Sequence, residues 1–297
     1  MGAGFDTERA RWLHGVLTPE RLTRIVDVGA NPINSNPYSG LLSAGLCDVW
    51  GFEPQEDAYV KLVASAGPHE HYLPNAVGDG GEAELKVCKN DGFTSLLEPR
   101  VETFEAIGKF KRAVRVIDRV KVQTATLDSL EALPEFDMLK IDVQGGEQEV
   151  FKGATRHLSH VLAVITEVAA IPLYEGQPLL EDQCRSLRDA GLELHKFLHF
   201  VTVPYVNEFS LRMPRRIYRS QYVDGDAVFV RAILAPGTLS SEALKHSAIL
   251  ADAVYDSQDV AVFFMMELVQ RGEITADDLH GYIDHLPETE PHVREPA

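Results

Sequence analysis

The chain has 297 residues, 45% of them hydrophobic and 25% charged, and a formal net charge of −17. That is enough apolar material for one large core, or one core with a small addition, while the acidic balance speaks against a nucleic-acid partner, whose phosphates are bound chiefly by clustered Lys and Arg. The longest obvious apolar stretch, VAVFFMM at 260–266, falls far short of the ~20 residues that span a bilayer, so no membrane partner is expected.

The amino terminus, MGAGFDTERARW, has no apolar signal-like region. Asp6 stands where a myristoylation signal carries Ser or Thr, so a soluble, cytoplasmic protein is expected. Cys47, Cys88 and Cys184 are odd in number and lack C-x-x-C spacing, which fits reduced thiols better than a disulfide framework or a zinc site. Residues 1–23 are expected to form a helical segment ahead of the main domain, 24–234.

The run IVDV (25–28) reads as a strand that opens into the loop GANPINSNPYSG. Ligands of open α/β sheets sit beyond the carboxyl ends of the strands, which makes Asp27, Gly29, Ala30 and Asn31 the first binding candidates. Gly29 allows close backbone approach, but no G-x-G-x-x-G follows. A nucleoside cofactor without phosphates therefore fits better than a dinucleotide. The second strand, DVWGF (48–52), ends at Glu53 and Pro54; an acid 24 residues after Gly29 is placed to accept ribose hydroxyls, with a surface carboxylate as the plain alternative.

A helix is expected over 56–66 and a strand at HYLPNAV (71–77). Residues 82–124 break into short β segments (EAELKVC, FTSLL, VKVQTATL) with a basic stretch, as an insertion on the sheet edge would. Another helix is expected at 126–132. In FDMLKIDV (136–143), Lys140 and Asp142 are two apart and share a face of a strand otherwise suited to burial, so they must be paired, solvated or functional. Gly145 and Gly146 then turn the chain into a helix over 147–158, with Glu147 in its first turn. VLAVITEV (161–168) is the next strand, with Glu167 at its end as site wall or rim charge. A helix at 178–190 and a last strand, AVFVRAI (227–233), complete an α/β alternation that predicts a mostly parallel sheet with crossover helices.

After Pro236 the composition shifts. Residues 236–297 hold twelve acidic against three basic residues. Ser240 or Ser241, Ser257, and Thr275 with Asp278 mark the starts of three helices. This acidic helical appendage spans 235–297, and its middle helix is apolar nearly all round, so it must be buried against the core or a second chain, as in a homodimer. Two stretches are basic instead: LRMPRRIYRS (211–220), with Arg212, Arg215, Arg216 and Arg219, and 100–121. They either line a pocket for an anionic or saccharide-like acceptor or meet the acidic tail.

DVGAN (27–31), FEP (52–54), NAVGDGGEAEL (75–85), LKIDVQGGEQEVFKGA (139–154) and TEV (166–168) come in the order and spacing of FkbM-type S-adenosylmethionine-dependent methyltransferases, which the chain resembles over about 24–232. The resemblance implies a Rossmann-like class I methyltransferase sheet with an antiparallel last strand. It implies that Asp27, Gly29 and Asn31 line the methionine part of S-adenosyl-L-methionine. Glu53 would hold the ribose, Ala76 and Val77 would border the adenine, and Asp142 would face the sulfonium and the acceptor. Gln144 departs from the Glu of many members, and Ile33 from a second glycine.

Methyl transfer to oxygen asks the protein to align donor and acceptor and to take a proton. Asp142 is the first candidate for that role and His195 the second; His199 reads equally well as a core or surface histidine. No compact acid/His cluster is evident, so no metal is expected. O-methylation of a small-molecule or saccharide-type acceptor is the leading expectation, against a non-catalytic methyltransferase-like scaffold or an NAD-dependent oxidoreductase.

Overall fold

The computed structural model describes residues 3–30, 36–108 and 110–287. They form two compact units. The larger, 23–36 with 47–234, is built on a seven-stranded sheet. Its strands are β1 (Thr23–Val28), β2 (Cys47–Phe52), β3 (Glu70–Leu73), β7 (Met138–Ile141), β8 (Ala163–Ala169), β9 (Leu192–Val203) and β10 (Gln221–Arg231), in the order β3-β2-β1-β7-β8-β10-β9. The pairs β3/β2, β2/β1, β1/β7 and β7/β8 are parallel, while β10 is antiparallel to both neighbours. This is the class I methyltransferase sheet, with its reversed strand at 221–231.

Strands covered on both faces read as apolar runs. Val26, Val28, Leu139, Ile141, Val164 and Phe229 are accordingly buried in one core with Phe52, Phe151 and Leu187. Burial of each such side chain contributes about 1.5–3 kcal/mol. The strand order reverses between β1 and β7, which is where an open α/β sheet leaves a crevice beyond its carboxyl ends.

Between the strands run α3 (Glu56–Ser65), α5 (Glu147–Lys152), α6 (Thr155–Leu158) and α7 (Leu180–Asp189). The expected helix over 147–158 is two helices, the first ending at Gly153, where a Cβ would lie 2.4 Å from the Gly78 carbonyl oxygen. The segment 126–132 is only a 3-10 turn over Leu127–Ser129, capped by Thr126. HYLPNAV splits at Pro74, which has no N–H for a ladder: β3 joins the main sheet and β4 (Ala76–Val77) a smaller one, β4-β6-β5, with β5 (Glu82–Cys88) and β6 (Val116–Ala125). FTSLL forms no strand, touching β5 through a single bridge from Ser95 to Lys86. The insertion also carries α4 (Val101–Ala106).

The second unit contains 1–22, 37–46 and 235–297, with helices α1 (Thr7–Leu17), α2 (Ser39–Ser43), α8 (Ser241–Ala253), α9 (Gln258–Gln270) and α10 (Ala276–Asp284). Asp6 caps α1, Ser240 caps α8, and Thr275 with Asp278 forms a full capping box on α10. Val260, Ala261, Phe264, Met265 and Leu268 of α9 are buried, while Phe263 and Met266 are exposed. At its centre Arg9 donates to Asp252 at 2.7 Å, and the Tyr282 hydroxyl donates to the same oxygen at 2.7 Å. A fully buried guanidinium requires such pairing. No helix among the described residues is long and apolar enough to cross a membrane.

Candidate active site

The ladder hydrogen bonds continue past the strand ends and set one row of residues across the sheet. Gly29 N donates to Phe52 O (3.2 Å), Asp142 N to Val28 O (3.0 Å), and Glu53 N to Leu73 O (3.1 Å). Ile141 is level with Thr166, so Asp142 is level with Glu167; Glu167 pairs with Asp226, and Asp226 with His199. Residues directly opposite on neighbouring strands share a face. Glu53, Gly29, Asp142, Glu167, Asp226 and His199 thus follow one another across β2, β1, β7, β8, β10 and β9, and all six line one cavity of about 380 Å³.

Gly29 is required by this geometry. Its φ is +87°, and a Cβ there would stand 2.0 Å from the Asp142 carbonyl oxygen. At the β2 end the cavity is walled by Phe52, Pro54, Ala76, Val77 and Leu85, an apolar slot beside the Glu53 carboxylate. Glu53 is 3% exposed and accepts the Gln55 N–H at 2.8 Å. Burial pushes its carboxyl above the ordinary range against that hydrogen bond. A carboxylate has about four acceptor sites, so Glu53 retains capacity for a pair of hydroxyl donors. An apolar slot next to a buried acid fits a nucleoside.

Asp27 and Ala30 are buried and are not among the lining residues. Asp27 acts instead from beneath: level with Lys140 in the β1/β7 register, it pairs with the Lys140 ammonium at 3.1 Å. Burial works against that ammonium, but Asp27 and Asp142 outweigh it and hold Lys140 above its ordinary value. Asn31 lies outside the described residues. His195, the second catalytic candidate, is not a lining residue. The cavity lies at the carboxyl ends, whereas His195 sits in the first half of β9, four residues or roughly 13 Å before His199. His199 is the histidine of this cavity.

Gln144 locks the centre. Its Nε2 donates to Asp142 Oδ1 (2.8 Å) and Glu167 Oε2 (3.0 Å), its Oε1 accepts from the Tyr174 hydroxyl (3.0 Å), and its backbone carbonyl accepts from Ser95 Oγ (2.6 Å). It holds this post with φ +56°, a strained left-handed backbone for a residue other than glycine. An amide here spans two carboxylates that would otherwise repel; a Glu would add a third. Burial, then Asp142 and Glu147, pushes the Glu167 carboxyl well above the ordinary range.

Glu147 is 1% exposed, and its Oε1 accepts the N–H groups of Val143 (3.2 Å) and Gly145 (3.1 Å), tying down the turn that carries Gln144. Burial pushes its carboxyl up to about 7 from 4.5 despite those bonds. The folded chain therefore binds this proton more tightly than the unfolded chain, and the stabilisation, complete below pH 4.5, is lost as pH rises through 7. Thermal melts should show a midpoint several degrees lower at pH 8 than at pH 5.5. Glu147→Gln should flatten that dependence; an unchanged slope would refute the assignment.

Asp224 and Asp226 escaped the sequence reading. The signal was there, since D-x-D opening an apolar strand puts both acids on one face. Tyr174 and Asn75 come from loops and Phe93 from the short 3-10 turn Asp91–Phe93, and they leave no comparable pattern. The arginines at 212, 215, 216 and 219 do not line the cavity; Arg215 donates to the Ile107 carbonyl at 2.6 Å. Among the described residues no group of three or more His, Cys, Asp or Glu is arranged to hold a metal ion.

No curated protein matches the chain. Similar solved structures include the precorrin-6Y C5,15-methyltransferase of Geobacter metallireducens, at 12% identity and TM-score 0.36, covering 75% of this chain and 87% of that one. They also include the 1,6-didemethyltoxoflavin-N1-methyltransferase of Burkholderia thailandensis, at 12% identity and TM-score 0.34, covering 75% and 77%. Both likenesses are distant, and the strand order itself carries the fold. The profile described as "Methyltransferase FkbM domain" matches residues 27–194, more than half of the chain and the whole span from Asp27 through Glu53 and Asp142 to Glu167. The chain belongs to the FkbM methyltransferase family.

Proposed function

We propose that the chain transfers the methyl group of S-adenosylmethionine to a hydroxyl oxygen of a small, saccharide-type acceptor. The supporting observation is the row itself, which joins a nucleoside-shaped end, the Glu53 carboxylate beside Phe52, Ala76 and Val77, to a proton-accepting end at Asp142, Glu167, Asp226 and His199 within one cavity. When bound, S-adenosylmethionine supplies an electrophilic methyl whose S–C bond breaks as the C–O bond forms, the electron pair remaining on a neutral thioether sulfur.

The chain's own residues do the rest. Glu53 accepts the ribose hydroxyls, and Gly29 lets the backbone come close. Asp142, held by Gln144, accepts the proton that the acceptor hydroxyl loses; His199 stands on the far side of Glu167 and Asp226. Among the described residues the cavity is lined by six carboxylates and one lysine, which is already paired with Asp27, a lining that suits a cofactor without phosphates better than a nicotinamide dinucleotide.

Calorimetric titration tests this directly. S-adenosylmethionine and S-adenosylhomocysteine should bind in the micromolar range, and NAD should not. Transfer from a 13C-methyl donor to a glycoside should then give a methyl-ether carbon signal. Binding of NAD alone, or an N-methyl product, would refute the reading.

A further inference from the structure

The segment 204–220 joins β9 to β10 beyond the carboxyl end of β9, beside the cavity: Val201 before it and Asp224 after it are both lining residues. Between Tyr205 and Tyr218 seven large apolar or aromatic side chains are exposed, among them Phe209, Leu211 at 101% and Ile217 at 72%. Such side chains scattered singly need no explanation, but a run of this density marks a contact surface. The same segment holds Arg212, Arg215, Arg216 and Arg219 against the single acid Glu208, a local charge of +3 on a chain of −17.

The segment takes its shape from its own turns and from the insertion. Arg212 N donates to Phe209 O (2.8 Å) and Ile217 N to Pro214 O (2.9 Å), while Val206 N donates to the Ala106 carbonyl (2.8 Å) and the Arg215 guanidinium to the Ile107 carbonyl (2.6 Å). Arg215 is thereby committed to the protein. The side chains of Arg212, Arg216 and Arg219 make no hydrogen bond or ion pair among the described residues, and exposed Arg112 and Arg115 of the adjoining insertion extend this unpaired positive charge.

We propose that this face docks on an anionic lipid membrane, with Leu211 and Ile217 entering the acyl boundary and Arg212, Arg216 and Arg219 among the headgroups. Charge complementarity selects the partner, since unpaired guanidiniums spread along a face need anions at several points, which a leaflet of anionic headgroups supplies. The residue types favour a lipid boundary over a protein pocket. Arginine and tyrosine each join an apolar body to a polar tip, the chemistry that settles at a membrane–water boundary. Leu211 is as exposed as in an extended chain, so it protrudes instead of lining a groove. The short apolar runs of the sequence exclude a spanning helix, but a surface contact needs none. Phe110 and Val201 join this face to the cavity, so docking brings the acceptor end to the leaflet.

Cosedimentation of the full chain with vesicles tests this and needs no cofactor. Phosphatidylcholine vesicles containing about one-third phosphatidylglycerol should bind the chain, and pure phosphatidylcholine vesicles at least about tenfold more weakly. Salt raised from about 0.1 M to about 1 M, which shortens the screening length from ~10 to ~3 Å, should release most of the bound chain. Arg212→Gln with Arg216→Gln should weaken binding about 25-fold, near fivefold per charge, and Leu211→Ser with Ile217→Ser at least about tenfold. The same loss of two charges on α7, Arg185→Gln with Arg188→Gln, should stay within about twofold of the parent. All six positions are exposed, so the melting temperatures should match. No binding to the phosphatidylglycerol vesicles, equal binding to pure phosphatidylcholine, equal losses in the two arginine pairs, or unaltered binding after Leu211→Ser with Ile217→Ser overturns the proposal. So does a dimer in sedimentation velocity that the Leu211→Ser and Ile217→Ser pair dissociates, because a second copy would then cover the face.

Discussion

Glu53→Ala should weaken S-adenosylhomocysteine binding about 100-fold in a calorimetric titration, with the melting temperature of the free chain unchanged or raised. The magnitude is the lower limit of what two hydrogen bonds between hydroxyl donors and a charged acceptor supply, each worth about 1.5–3 kcal/mol. The direction of the stability change follows from burial. Glu53 is 3% exposed, and its carboxyl sits above the ordinary range in the free chain, so the empty site bears a desolvated charge that alanine removes. Glu53→Gln keeps the shape and one acceptor and should lose about tenfold. An alanine variant that binds within about threefold of the parent would show that the acid does not touch the cofactor and that the nucleoside end is misassigned.

The legible part of this protein is the part governed by short-range rules. IVDV, DVWGF and VLAVITEV read as strands because both faces are buried, and Thr275 with Asp278 marked a helix start because a capping box is local chemistry. Glu53 and Asp142 could be placed at the cavity because each follows the end of a parallel strand, where open α/β sheets hold ligands. Strand β9 was missed. LELHKFLHFVTV is an edge strand with a mixed exposure pattern, and three register shifts against β10 spoil its period of two.

The acceptor end was illegible for a related reason. His199 and Asp226 face each other only through the pairing of β9 with β10, which the sequence does not announce. His195 and His199 both lie on that strand, and only the position of the cavity at its carboxyl end separates them. Gln144 looked like a lost charge. In the structure its amide bridges Asp142 and Glu167, a role that a third carboxylate would oppose unless it carried a proton. The basic stretch 211–220 misled in the other direction, since charge composition alone does not tell which arginines reach a cavity.

Asp142→Asn should lower kcat by about 10²–10⁴-fold with any acceptor the parent methylates, while S-adenosylhomocysteine affinity stays within a few-fold. The range is that of a positioned general base. Asparagine preserves size at a residue whose backbone N–H is committed to Val28 at 3.0 Å, so the strand end should hold. It forfeits the negative charge, while its amide oxygen can still accept from Gln144 Nε2. The alternative base is His199, and the paired variants separate the two. If His199 takes the proton, His199→Gln carries the large loss of kcat and Asp142→Asn does not; if Asp142 takes it, the aspartate variant carries the loss and the histidine variant keeps most of its turnover. A turnover loss below about threefold in Asp142→Asn would leave the carboxylate an orienting role at most and move the proton to the β9 side of the cavity.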